Sequence, residues 1–168
     1  MKRVLLISML FIGSLYNGQI AIGKSELTNE SVSLEFSGAE NRGLILPYVE
    51  DKTGITENGT FIFDTTDKKV KLLSSGVWHD LSVDPGGVVD LSDQKDREEN
   101  ADGKVGIGKQ SAVMGILVLE DSDKAMILPK VASPHLNIIN PSAGMMVYDT
   151  VARQLAVYNG SVWSFWKP

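Results

Sequence analysis

A phosphate-binding loop is the first chemistry that the sequence suggests. Residues 18–25, Gly-Gln-Ile-Ala-Ile-Gly-Lys-Ser, satisfy the pattern G-x-x-x-x-G-K-[ST]. In nucleotide-binding proteins that loop wraps phosphates between a buried strand and a helix. Here the interior Ile-Ala-Ile favours a strand, and no helical pattern follows it. We therefore expect this segment to be structural.

A metal centre or a hydrolytic site is supported no better. His79 and His135 are the only histidines and cysteine is absent, so the ligands of a typical zinc site are missing. A fragment that begins at Glu98 resembles an EF-hand loop, but its twelfth position is Lys109, where calcium needs a glutamate. No serine stands in a nucleophile elbow. The sequence therefore predicts no enzyme, no cofactor and no metal.

The segments that carry these residues occur twice in the chain. Residues 59–81 and 144–166 share a glycine, an aromatic-Asp-Thr triplet and a tryptophan at an offset of 85 positions. Residues 20–24 and 105–109 match at the same offset. Period-two apolar patterns, many glycines and the absence of a long helical period favour strands and turns. One strand-built unit is therefore predicted to be present in two copies.

A second landmark, Ile-Leu-Pro, shows where the copies differ in length. It begins at Ile45 and again at Ile127, an offset of 82. Compensating changes of length belong in loops, so residues 37–42 and 132–142 are predicted to be surface connections. The proline that ends each run lacks an N–H group and should stand at a strand end or edge.

The second half of each copy is predicted to be an antiparallel meander. Asn159-Gly160 favours a two-residue type I′ turn that sets Tyr158 opposite Ser161, and Ser74-Ser75 would turn the first copy. Strand alternation then places valines and leucines on one face and the tryptophans on the other. The tryptophan face of the first copy also carries lysines and an aspartate, whose burial without partners is costly. The aliphatic faces are therefore predicted to be interior and the tryptophan faces exterior.

These patterns predict an all-β chain with two tandem antiparallel β-meander modules. The domains are a cleaved signal peptide (1–19), β-module 1 (20–83), an acidic linker (84–104) and β-module 2 (105–168). Lys2-Arg3 before an apolar stretch too short to span a bilayer is typical of an export signal, with a buried strand or a membrane anchor as alternatives. We expect no membrane span in the mature chain, and location in the periplasm, on the cell surface or outside the cell. A net charge of −5 without a basic cluster argues against nucleic acid.

Two motifs carry a resemblance to known proteins. Arg-Gly-Leu-Ile-Leu-Pro at 42–47 and Tyr-Asn-Gly-Ser-Val-Trp at 158–163 resemble a repeat of secreted and surface proteins of the Bacteroidetes, similar to phage tail-fibre-like segments. The resemblance implies a β-rich exported module with no active site, and suggests a trimer. The triplets that contain Thr65 and Thr150 also resemble the O-glycosylation signal of that bacterial group. Their alternative role is to start the turn into the next strand.

The function expected from these observations is that of an exported, non-catalytic structural or adhesive surface module. It would act through contacts with a protein partner or through self-association. The alternative is a carbohydrate- or peptide-binding protein, because aromatic faces suit sugars and flat apolar ligands. The candidate binding residues are Tyr158, Trp163, Phe165 and Trp78. Packing of these rings between the two copies is a further alternative.

Overall fold

The computed structural model describes residues 18–83, 86–98, 100, 103–108 and 112–167. These residues form short strands in a solenoid-like arrangement and one single-turn helix, so the all-β prediction is confirmed. The predicted signal peptide lies outside the described residues except for its last two positions.

The elements are β1 (Ile20–Ile22), β2 (Val32–Phe36), β3 (Leu44–Ile45), β4 (Tyr48–Val49), β5 (Phe61–Asp64), β6 (Lys69–Ser74), β7 (Val77–Asp80), β8 (Val105–Gly108), β9 (Leu117–Glu120), β10 (Ala125–Ile127), β11 (Lys130–Val131), α1 (Pro134–Asn137), β12 (Met145–Asp149), β13 (Gln154–Tyr158) and β14 (Trp163–Trp166).

Two sheets share one topology. Strands β4-β5-β6-β7 and β11-β12-β13-β14 each begin with a parallel pair and continue as an antiparallel meander. Val49 stands opposite Asp64 in the first sheet, as Val131 stands opposite Asp149 in the second. The halves also lend strands to each other, since β3 pairs with β12 and β10 pairs with β2. The division into two separate modules therefore stays a prediction.

The aliphatic faces of these two sheets share one core. Phe63 and Val70 from the first sheet belong to the same buried cluster as Met146 and Val157 from the second. Burying each such side chain contributes about 1.5–3 kcal/mol. The prediction that the aliphatic faces are buried is confirmed for the inner strands of each sheet, whereas Val77 and Trp166, on the edge strands β7 and β14, are exposed. The buried faces form a common core across both copies, because each sheet covers the apolar face of the other.

The prediction for the charged face of the first sheet is wrong. Ile62 and Leu73 are buried on that face, and Lys71 is buried between them. The ammonium group of Lys71 lies 2.6 Å from carboxylate oxygens of Asp67 and Asp80. These two partners compensate the loss of hydration, and they hold the pKa of Lys71 above its usual value although burial alone would lower it. A lysine on a strand face is therefore compatible with burial here.

The turns of the two hairpins differ from the prediction in both length and position. Tyr158 stands opposite Trp163, so a four-residue loop joins β13 and β14. The Asn159 side chain is buried, and its Oδ1 accepts the N–H groups of the two residues that follow Gly160, at 2.9 and 2.8 Å. The two-residue turn with positive φ angles lies instead in the first copy, at Ser75 (53°) and Gly76 (73°). Both corrections shift the pairing by two residues, which leaves every side chain on its predicted face.

Residues 86–89 of the predicted linker make close contacts with the second sheet. A Cβ added at Gly160 would lie 1.8 Å from the carbonyl oxygen of Val88, and one at Gly87 would lie 2.1 Å from the carbonyl oxygen of Asn159. Only glycine allows two backbones to approach this closely. Val89 then packs on the shared core. Residues 86–89 are therefore held against the loop between β13 and β14, and the linker bounds of 84–104 stay a prediction.

Candidate functional site

The tryptophan face of the second sheet covers a second apolar cluster. Val147 and Ala156 from the sheet pack with Ile138, which lies in the connection between β11 and β12. Tyr158 and Trp163 pack against this cluster, with their ring centroids 5.2 Å apart and tilted by 46°. Both rings are half-buried. The exterior prediction is therefore wrong for most of this face.

The connection that covers this face was predicted to be a surface loop. It contains α1, which begins at the buried Pro134. Ser133 precedes the helix with φ 45° and donates its N–H to Oδ1 of Asp149 at 3.1 Å. Pro134 and Ile138 face the protein, whereas Leu136 and Ile139 are exposed. The connection between β11 and β12 therefore buries the second cluster on one side and exposes apolar side chains on the other.

Strand β14 is an edge strand whose last rings remain accessible. Phe165 is 40% exposed and meets the ring of His135 edge-on, with centroids 5.7 Å apart. Trp166 is 43% exposed, and its Nε1–H donates to the carbonyl oxygen of Leu81. Phe165 and Trp166 therefore leave accessible apolar surface on opposite faces of β14, and the indole hydrogen bond fixes the ring of Trp166 in place.

Trp78 occupies the corresponding region of the other sheet. It lies on the edge strand β7, opposite the buried Leu73, and is half-buried. The structure thus places the four predicted binding aromatics on two different sheets. Three of them, Tyr158, Trp163 and Phe165, share one face of the second sheet. Their role in ligand binding stays a prediction.

A parallel ribbon that the sequence reasoning missed lies in the second copy. Strands β8 and β9 pair only with each other among the described residues. Val105 stands opposite Leu117, and the two side chains are 53% and 38% exposed. Met114 and Ile116, which directly precede β9, are more exposed still. Parallel strands in proteins are generally covered on both faces, so the exposed side chains of this ribbon are candidates for a contact with another molecule.

The aspartates of the two Asp-Thr pairs serve the backbone. Oδ1 of Asp149 accepts the N–H groups of residues 133, 151 and 152. Burial raises its pKa, but these N–H groups outweigh burial and hold the pKa below its usual value. Asp64 shows the same balance between burial and an ion pair with Lys52 at 2.6 Å. Oδ1 of Asp64 also accepts the N–H of Thr66 at 3.0 Å, so the predicted turn-starting role is confirmed for both aspartates.

The hydroxyl groups next to these aspartates differ in accessibility. The Oγ1–H of Thr65 donates to the carbonyl oxygen of Val49 at 3.2 Å, whereas Thr150 is exposed. Glycosylation of either threonine stays a prediction.

Within the described ranges, no cluster of three or more histidine, aspartate or glutamate side chains could hold a metal ion. No helix in the same ranges is long and apolar enough to cross a membrane.

Comparison with known proteins adds one finding. Residues 106–167 match a family model described as a phage tail like trimerisation region. The matched residues contain nearly all of the β8–β9 ribbon and strands β11 to β14 of the second sheet, whereas β3, which pairs with β12, lies outside the match. The match supports the resemblance to phage tail-fibre-like segments, and the family it describes is structural. No curated protein and no solved structure matches the chain.

Proposed function

We propose that this protein is an exported structural subunit of a fibre-like surface assembly, and that it forms a homotrimer through its second half. The observation that carries the proposal is the coincidence of the trimerisation match with the exposed apolar surfaces. Residues 106–167 contain the ribbon of β8 and β9 except for Val105, together with helix α1 and the edge strand β14. Contiguous exposed apolar surface generally marks a contact with another molecule.

The exposed side chains have the character of an interface. Val105, Leu117 and Ile116 expose aliphatic groups at the ribbon, and Phe165 exposes an aromatic ring at β14. Burial of such groups stabilises an assembly by about 25 cal/mol for each Å² removed from water. A heterologous contact between different surfaces of neighbouring copies closes into a ring when the rotation is 120°. A trimer would therefore use both surfaces of every subunit.

A structural role also agrees with the chemistry of the described residues. Asp64 and Asp149 are occupied by an ion pair and by backbone N–H groups, so neither is available as a base. Export is proposed from the basic and apolar residues at 2–12. Adhesion to another surface, glycan binding and a Bacteroidetes origin are parts of the proposal that rest on the sequence resemblance.

The test is the mass of the protein in solution. The full-length chain is produced in a bacterial host with an outer membrane and purified, and its mass is measured by light scattering during gel filtration. We expect three times the mass of one processed chain, where the unprocessed chain is 18.3 kDa. Intact mass spectrometry of the same sample reports whether residues 1–19 have been removed. A monomer at every concentration tested would contradict the proposal.

A matched pair of variants locates the surface. Leu117→Asp places a charge on the ribbon, and we expect it to shift the protein to monomer. Val77→Asp places the same charge on an exposed position of the first sheet, outside the matched region, and we expect it to remain trimeric. If both variants remain trimeric, the ribbon is not the interface. If the wild-type monomer instead binds a glycan array, the alternative function is favoured.

A further inference from the structure

Strands β2 and β9 occupy equivalent places in the two copies but have different neighbours. Each pairs in parallel with the strand before it, β1 or β8. Strand β2 also has β10 on its other edge, whereas β9 has no second strand among the described residues. Burial follows this difference. Val32 of β2 is 2% exposed, and Leu117, 85 positions later, is 38% exposed.

The strand on the second edge of β2 is the Ile-Leu-Pro strand of the following copy. Ala125 of β10 donates its N–H to the carbonyl oxygen of Ser31 at 2.9 Å, and Ile127 of the same strand stands opposite Glu35. An equivalent neighbour for β9 would be another strand that ends in Ile-Leu-Pro. The one other Ile-Leu-Pro strand is β3.

The backbone of β9 is oriented to accept another strand. Val105 donates its N–H to the carbonyl oxygen of Ile116 at 2.9 Å, so the backbone groups of Ile116 point towards β8. Backbone groups alternate along a strand, and the N–H and C=O of Leu119 therefore point to the open edge. Leu119 is the repeat equivalent of Leu34, which stands opposite Met126 of β10. The open edge of β9 thus corresponds to the edge that β10 fills in the first copy.

The backbone of β3 is oriented to supply that strand. Leu46, directly after β3, donates its N–H to the carbonyl oxygen of Gly144 at 3.0 Å. The backbone N–H and C=O groups of Leu46 and Leu44 therefore point towards β12, and those of Ile45 between them point to the opposite edge of β3. The Ile45 side chain is 48% exposed. Its repeat equivalent, Ile127, belongs to the strand that pairs with β2.

We infer that the open edge of β9 accepts β3 of a second copy of this chain as a parallel strand. The register of β10 on β2 transfers to this contact and places Ile45 of one subunit opposite Glu120 of its neighbour. The contact joins two different surfaces, so it runs head to tail and closes into a ring at three subunits with a rotation of 120°. The inference rests on the proposed trimer and names the strands that would form it.

Disulfide cross-linking tests the contact, because the chain contains no cysteine. The double variant Ile45→Cys/Glu120→Cys is oxidised in the full-length protein and run on a gel without reductant. Opposed residues of neighbouring strands lie within the Cα separation that a disulfide requires. We expect a ladder of covalent dimers and trimers from the double variant and none from either single variant. The matched control Val77→Cys/Glu120→Cys, with an exposed cysteine on β7, should give no such ladder.

The possible results distinguish failure of the proposed trimer from failure of the pairing between β3 and β9. Light scattering under reducing conditions that shows a monomer overturns the proposed function and the inference together. A trimer whose double variant gives no ladder overturns only the pairing of β3 with β9. Cross-linking by Glu120→Cys alone would instead place two β9 strands side by side and also overturn it. Mixing the two single variants tests the same contact with one substitution in each chain, and should yield mixed dimers.

Discussion

The buried carboxylate of Glu35 provides a test of how the first copy is held together. Glu35 lies on β2 and is 3% exposed. Its Oε1 lies 2.8 Å from Nζ of Lys24 and accepts the hydroxyl of Thr28 at 2.6 Å. Its Oε2 accepts the N–H of Thr28 at 2.8 Å. The bonds from Lys24 and Thr28 outweigh burial and lower the pKa of Glu35 from 4.5 to about 2.

The perturbation is Glu35→Gln, which keeps the shape of the side chain and removes its charge. A change in pKa from 4.5 to about 2 corresponds to at most about 3 kcal/mol at neutral pH, since a tenfold change in proton affinity is about 1.4 kcal/mol. The Lys24 side chain is 25% exposed, and solvent screening there reduces the effect. We expect Glu35→Gln to lower the free energy of unfolding by about 1–2 kcal/mol at pH 7.

The pH dependence identifies the cause. The folded pKa of Glu35 is depressed, so its contribution is present above pH 4.5 and is lost as the pH falls towards 2. Urea unfolding is followed by tryptophan fluorescence at pH 7, 5 and 3, at one protein concentration. The difference between wild type and Glu35→Gln should be nearly the same at pH 7 and pH 5 and clearly smaller at pH 3.

The matched control is Glu57→Gln, because Glu57 is a carboxylate of the same copy that lies outside the proposed subunit contact. Its side chain is exposed, and no ion pair joins it within the described part of the chain. We expect little change in the free energy of unfolding for this variant at pH 7. A Glu35→Gln penalty that stays constant between pH 7 and 3, or an equal penalty for Glu57→Gln at pH 7, would refute the reasoning.

Three further predictions concern packing and turns, each measured by urea unfolding against wild type. Phe63→Ala should cost about 3–5 kcal/mol because it empties the core shared by both sheets, and Val77→Ala at an exposed position should cost almost nothing. Asp149→Ala should cost about 3 kcal/mol because three N–H groups lose their acceptor. Gly160→Ala should destabilise the protein by about 2 kcal/mol or more, since its Cβ would overlap a backbone carbonyl, whereas Gly54→Ala has open space.

Each of these predictions has an outcome that would contradict it. Equal costs for Phe63→Ala and Val77→Ala would show that the sheets do not share a core. An Asp149→Asn variant as destabilised as Asp149→Ala would show that the carboxylate acts otherwise than as an acceptor, because an amide oxygen retains that role. A neutral Gly160→Ala would show that residues 86–89 do not lie against the loop between β13 and β14.

Local pattern was enough to predict much of the fold. The offset of 85 positions predicted that two segments would adopt the same strand order, and both sheets have it. Alternation placed Val70 and Val157 on buried faces, since a strand presents its side chains with a period of two whatever its partner is. Because this period is two, the faces were assigned correctly although both hairpin registers differed from the prediction by two residues.

Turn chemistry was the weaker part of the local signal. Asn159-Gly160 has the composition of a two-residue turn, but Gly160 also meets the backbone of Val88. That contact comes from residues far away in sequence. Asn159 therefore bonds the following N–H groups in a longer loop, and the tight turn occurs at Ser75-Gly76 instead.

The sequence by itself determined the repeat, the strand content and the aliphatic faces, because neighbouring residues encode each of them. Tertiary structure alone decided what covers those faces. The pairings of β3 with β12 and of β10 with β2 join the two copies, and period-two alternation carries no information about such partners. Lys71 is buried because Asp67 and Asp80 meet it in space. The open edge of β9 is likewise a tertiary feature, because it is defined by comparison with β2, which has strands on both sides.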